Sequence, residues 1–107
     1  MSYECSEHLH YKVMQLNGEV DLSNSSSIKK CLLDFLKNGH SVIVDFLNLK
    51  YIDSSGMAVL VEGLNVANKK NLSIYITSAN GSPLQVLELT RLNQVFQIYE
   101  SISEITD

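Results

Sequence analysis

Apolar and polar residues alternate from Tyr11 to Asn17 (YKVMQLN), with Tyr11, Val13 and Gln15 on one side and Lys12, Met14 and Leu16 on the other. A period of two over so short a run predicts a β-strand, and Gly18 predicts its end within GEVD, Gly18 to Asp21. Residues 3–8 predict a weak edge strand paired with it through a turn near His8-Leu9-His10. The period then changes. SNSSS (23–27) is rich in residues that compete for backbone hydrogen bonds and so favour a helix start. After it, Ile28, Cys31, Leu32, Phe35 and Leu36 recur at i, i+3, i+4, i+7 and i+8, the mark of an amphipathic helix. Lys37 falls in its last turn and Asn38-Gly39 ends it.

Residues 41–46, SVIVDF, form a nearly continuous apolar run with β-branched residues, which predicts a central strand covered on both faces. Leu47 to Ile52 read as a short connection. From Ser54 to about Asn68 a second helix fits, burying Met57, Leu60, Val61 and Leu64. Gly56 and Gly63 weaken it by roughly 1 kcal/mol each against alanine, and permit close approach of another backbone. Leu72 to Thr77 predict a second buried strand. Ser82-Pro83 predicts a helix start with serine as cap and proline in the first position, and Leu84, Leu87 and Arg91 share one face of that helix. Val95 to Tyr99 predict a last strand, and Ile102 with Ile105 a C-terminal helix or frayed tail. Strands alternating with helices imply one α/β domain over residues 1–107, with a mixed, mainly parallel sheet and helices packed on one side.

Composition narrows the function classes. The 107 residues are 45% hydrophobic and 19% charged, which is globular rather than disordered. Eight basic residues face twelve acidic ones, for a net charge of −4. Lys29-Lys30 and Lys69-Lys70 are the only adjacent basic pairs, which argues against nucleic acid as a partner. Cys5 and Cys31 have no further cysteine or histidine at metal-ligand spacing, so both read as reduced thiols, with Cys31 a small core residue. The N-terminal MSYECSEHLHYK lacks an apolar signal core, and no stretch is long enough to span a bilayer. The expected location is cytoplasmic, without membrane insertion.

The stretch YIDSSGMAVL, Tyr51 to Leu60, sets an aspartate and two serines between a strand-like segment and a helix. A hydrolase would need a base for its serine. His8 and His10 lie in the first hairpin, His40 lies at the wrong end of a strand, and no G-x-S-x-G elbow is present. A phosphate loop of the G-x-x-x-x-G-K-[ST] type is also missing. Two readings remain. Asp53 caps the helix and the serines fill its first turn, or a serine there receives a phosphate that the free N–H groups and helix dipole accommodate. Asp21, at the end of the neighbouring strand, would then lie close by.

Three segments, in this order and spacing, carry a resemblance that covers almost the whole chain. They are LNGEVD (Leu16 to Asp21), VIVDFLNLKYIDSSGMAVL (Val42 to Leu60) and SPLQVLELTRLNQVFQIYES (Ser82 to Ser101). Together they resemble the STAS domain of anti-sigma factor antagonists. The resemblance implies that Ser54 is the phosphate acceptor, and that Asp21, Asp53, Ser54, Ser55 and Gly56 meet a partner. That partner would be an anti-sigma factor with a histidine-kinase-like ATPase fold, acting as a serine kinase. The unmodified protein binds it and frees its target, the phosphoprotein lets go, and a PPM-type phosphatase restores the first state. On this reading the chain is a regulator and not an enzyme. It is a monomer when free and needs no cofactor, because ATP and magnesium belong to the partners. A second implied role is that of accessory subunit to a lipid-transport ATPase. Arg91 departs from the family pattern, standing where many relatives have glycine in Thr-Gly-Leu.

Overall fold

The computed structural model, which describes residues 2–107, begins with the expected hairpin. β1 (Tyr3–His8) runs antiparallel to β2 (Tyr11–Val20), from Tyr3 opposite Leu16 to His8 opposite Tyr11. Leu9 makes the turn at φ +55°. Then α1 (Ser25–Lys37), β3 (Val42–Ile52), α2 (Ser54–Lys69), β4 (Ile74–Thr77), α3 (Gly81–Leu89) and β5 (Gln97–Tyr99) follow. The sheet order is β1-β2-β3-β4-β5, with β2 to β5 all parallel. Each crossover steps to the next strand in the same direction. Crossovers of one hand must then place every helix on the same face. Accordingly Ile28, Leu32, Leu36, Met57, Leu60 and Leu87 all meet one side of the sheet, built around Met14, Leu16, Val44, Phe46 and Ile76. No helix among the described residues is long and apolar enough to cross a membrane.

The opposite face explains why residues 41–46 are apolar throughout. Val42 and Val44 face the helices, whereas Ile43 joins Tyr11 and Val13 under Ile105. The C-terminal segment is not a frayed tail. A 3₁₀ turn at Ile102–Glu104 is held by a capping box from Ser101 and Glu104. His8 Nε2 lies 2.7 Å from the Ile105 carbonyl, and the Tyr11 hydroxyl donates to the Asp107 carbonyl at 2.9 Å.

Several boundaries differ from the sequence reading, each for a visible reason. β2 does not stop at Gly18, and Leu47 to Ile52 are strand rather than connection. The two segments pair with each other, Asn17 with Asn48, Gly18 with Leu49, Glu19 with Tyr51 and Val20 with Ile52. β3 carries an extra residue at two points, so its buried positions Phe46, Leu49 and Ile52 fall three apart. The bulges hide the period of two. Gly18 permits the local twist at φ +69°.

α1 starts at Ser25 after Asn24, whose side chain makes no cap bond to the helix. It instead accepts from Asp21 N at 3.0 Å and donates to Glu19 O at 2.8 Å, closing the loop before the helix. At α3 the cap position is Asn80 rather than Ser82, and its amide turns back to Ser78 O at 2.8 Å. β4 begins at Ile74 and β5 at Gln97, each two residues later than expected.

Arg91 leaves the face of Leu84 and Leu87 because its backbone is left-handed, φ +62° and ψ +16°. That conformation costs a non-glycine residue about 1–2 kcal/mol, which is the physical reason a glycine suits this corner. Cys31 is half-buried at the rim of the core, not inside it, with its sulfur 3.8 Å from that of Cys5, and both thiols are free.

Candidate functional site

β2 and β3 end side by side at the paired residues Val20 and Ile52, and each is followed by an aspartate. The Asp53 N–H donates to the Val20 carbonyl at 3.1 Å, so the two loops leave the sheet together. In the first, one oxygen of Asp21 accepts the Ser23 N–H at 2.9 Å and the Ser23 hydroxyl at 2.5 Å. In the second, one oxygen of Asp53 accepts the Ser55 N–H at 2.9 Å, the Ser55 hydroxyl at 2.6 Å and the Gly56 N–H at 3.3 Å. Asp53 is thus the side-chain cap of α2, with extended backbone and carboxylate acceptance of the first free N–H groups. The Ser55 hydroxyl, helped by the backbone N–H groups of Gly56 and Ser55, holds the Asp53 carboxyl below the ordinary aspartate range.

These bonds separate the two serines. Ser55 is half-buried and its proton is committed to Asp53. Ser54 is exposed at the first position of α2, and its hydroxyl has no hydrogen-bond partner among the described residues. Gly56 fixes their seat. A Cβ there would lie 2.7 Å from Val20 Cγ1 and 2.7 Å from Ile52 Cγ1, too close for any real contact. The close approach anticipated for this glycine is therefore to side chains of the strand ends rather than to backbone. Gly63 likewise faces Leu32 Cδ2 at 2.6 Å and Ile74 Cδ1 at 3.1 Å.

Next to Ser55 a shallow depression separates α1 from α2. Ser25, Ser26 and Lys29 line one wall and Ser55 and Glu62 the other, with Lys29 Nζ 3.2 Å from Glu62 Oε1. The sequence reading missed Leu22. It is 81% exposed, held out between Asp21 and Ser23. A lone leucine inside a polar run was the available signal.

The arrangement leaves the Ser54 hydroxyl exposed at the start of α2. His8 is engaged with Ile105 at the other end of the chain. The sheet winds in one direction from β2 to β5, and an open depression of about 700 Å³ borders the ends of β4 and β5, lined by Asp45, Leu47, Ser78, Asn80, Glu100 and Ser101. Among the described residues no group of histidine, cysteine and carboxylate side chains is placed to hold a metal.

Comparison with known proteins agrees with this architecture. The family model described as STAS domain matches residues 2–105. The anti-sigma-B factor antagonist of Staphylococcus epidermidis is 23% identical over 101 residues, covering 94% of each chain. The crystal structure of the Thermotoga maritima protein tm1081 superposes with a TM-score of 0.89 at 26% identity, covering 95% of this chain and 89% of that one. The Bacillus cell fate determinant SpoIIAA, solved in its phosphorylated form, shares the fold with a TM-score of 0.77 at 16% identity over 95% of this chain and 94% of its own. The chain belongs to the STAS domain family, among the anti-sigma factor antagonists.

Proposed function

We propose that this chain works by partner switching, with Ser54 as the phosphorylated residue. The observation that carries the reading is the contrast between the two serines: Ser54 is exposed and unbonded, whereas Ser55 is tied to Asp53. A kinase can take the Ser54 hydroxyl without breaking the cap of α2. Phosphate there adds about −1.5 to −2 charges. The dipole at the start of α2 stabilises it, so the domain keeps its shape. A partner docked over Asp21, Asp53, Ser54, Ser55 and Gly56 meets the new charge directly. Like-charge contact at an interface costs several kcal/mol, and about 2.7 kcal/mol is already a hundredfold in affinity.

The partner is an anti-sigma factor that is also a serine kinase with a histidine-kinase-like ATPase fold, and it brings ATP and magnesium. The unmodified chain binds it and displaces its target. The phosphorylated chain releases it, and a PPM-type phosphatase resets the cycle. This chain acts as a monomeric cytoplasmic regulator and catalyses none of these steps. The kinase is first recovered by pull-down with and without ATP. Its affinity is then measured for the wild type, Ser54→Ala, Ser54→Asp and the phosphoprotein, with a thermal melt of each. Wild type and Ser54→Ala bind alike, Ser54→Asp binds less tightly, and the phosphoprotein binds weakest while melting like the wild type. Equal affinity of the phosphorylated and unmodified forms sinks the proposal.

A further inference from the structure

Cys5 sits on the helix-facing side of the edge strand, opposite Met14, whose side chain belongs to the main core. Cys31 sits on α1 and points back at it. The sulfurs are 3.8 Å apart, the contact distance of two unbonded thiols, and 26 residues apart in sequence. A disulfide needs about 2.05 Å. Closing the gap takes an approach of about 1.8 Å between the sulfurs. The strand is suited to yield, because β1 pairs on one side only and Glu4 to Glu7 are exposed. We propose that Cys5 and Cys31 form a reversible intramolecular disulfide that fastens the edge hairpin to α1.

The oxidant is a small-molecule disulfide, RSSR, of the glutathione kind. The Cys31 thiolate attacks one sulfur of RSSR, which displaces RS⁻ and leaves a mixed disulfide on Cys31. Cys5 then loses its proton to solvent and attacks the Cys31 sulfur, and the second RS⁻ departs. Two electrons pass from the protein sulfurs to RSSR, both thiol protons end on the two RSH molecules, and one S–S bond replaces another. Burial of the Cys5 sulfur against α1, with the Cys31 thiol beside it, pushes that thiol up to about 11, although the residue as a whole is exposed. Excess thiol reverses the sequence. The bridge closes a loop that contains the hairpin and half of α1, so it restricts the unfolded chain more than the folded one.

This inference is independent of the phosphorylation reading. The native full chain is equilibrated in glutathione–glutathione disulfide mixtures, quenched with acid and analysed by intact mass before and after alkylation. A monomer lighter by two hydrogens, with no alkylatable thiol, is the expected product. Dithiothreitol restores the original mass. The oxidised form melts about 10 °C above the reduced one. Cys5→Ser and Cys31→Ser, checked for native circular dichroism, yield only mixed disulfides. The proposal is overturned if the native wild type gives mixed disulfides or cross-linked dimers alone. It is equally overturned if the bridge forms only in urea, or if the bridged protein melts lower.

Discussion

The loops Asp21-Leu22-Ser23 and Asp53-Ser54-Ser55 are near copies in their hydrogen bonds and differ in what they present. In each, an aspartate at the end of a parallel strand accepts the N–H and hydroxyl of the serine two residues later. In each, the middle side chain is forced outward. It is leucine in the first and serine in the second, so an apolar knob and a free hydroxyl leave the sheet from adjacent strand ends. The second loop has two further features. Helix α2 begins at Ser54 itself, and the Gly56 N–H gives Asp53 a third bond. In the first, α1 starts only at Ser25, so Leu22 stands outside any helix. The same local chemistry therefore leaves an exposed hydroxyl at a helix start in one loop and an exposed apolar side chain outside any helix in the other.

The largest expected effect tests whether the helix start matters or merely the exposed hydroxyl. Phosphate on Ser54 should weaken kinase binding by about a hundredfold or more. In a Leu22→Ser, Ser54→Ala double variant, the copied hydroxyl at position 22 should take no label from the kinase. Label there would mean that the two loops are equivalent. Next comes Gly56→Ala. Overpacking costs about 1–3 kcal/mol and outweighs the roughly 1 kcal/mol that alanine adds to a helix, so the urea midpoint should fall with an unchanged slope. Gly63→Ala should cost less, because a Cβ there comes within 3.0 Å of one side-chain tip, Leu32 Cδ2, whereas at Gly56 it meets Val20 Cγ1, Ile52 Cγ1 and Ile52 Cδ1 that closely.

Leu22→Ala should leave the melt unchanged and weaken kinase binding about tenfold, near 1.4 kcal/mol, if the leucine is an anchor. Unchanged affinity would reduce the first loop to a spacer. The smallest effect is the acid dependence of the cap. Asp53→Ala should melt a few degrees below wild type at neutral pH. The folded state lowers the Asp53 carboxyl, so its stabilisation is complete above the ordinary aspartate range and is lost as pH falls through the lower, folded value. The gap between the two proteins should close over that acid window, as followed by thermal melts. A gap that persists there would show that the cap acts without its charge.

The alternation of strand and helix was legible because each helix keeps its apolar stripe and each inner strand is densely apolar. Ile28, Leu32 and Leu36 are buried as the i, i+4, i+8 pattern requires. What stayed hidden depended on partners distant in sequence. The second half of β3 could not be read from Leu47 to Ile52, since its extra residues make sense only against Asn17 to Val20. Nor could Asn24 and Asn80 be seen to spend their amides on preceding backbone carbonyls instead of helix caps. Around the site, the DSSG tetrapeptide pointed to a cap and to a hydroxyl, but not to which serine was committed. That required the 2.6 Å bond from Ser55 to Asp53. The thiol contact was illegible for the same reason, because Cys5 meets α1 only through the register of the hairpin.

The absence of a side chain at Gly56 has a consequence for how this surface could carry a message. With Val20 and Ile52 pressed against it, the first turn of α2 sits directly on the sheet and has no slack beneath it. A group added above that turn cannot sink into the domain. Any mark written there must be read from outside, as a local change in potential on a fixed contour. If Ser54 is marked as proposed, the domain works less as a lever than as a plate bearing an erasable character, and the discrimination rests in the reader that presses against it.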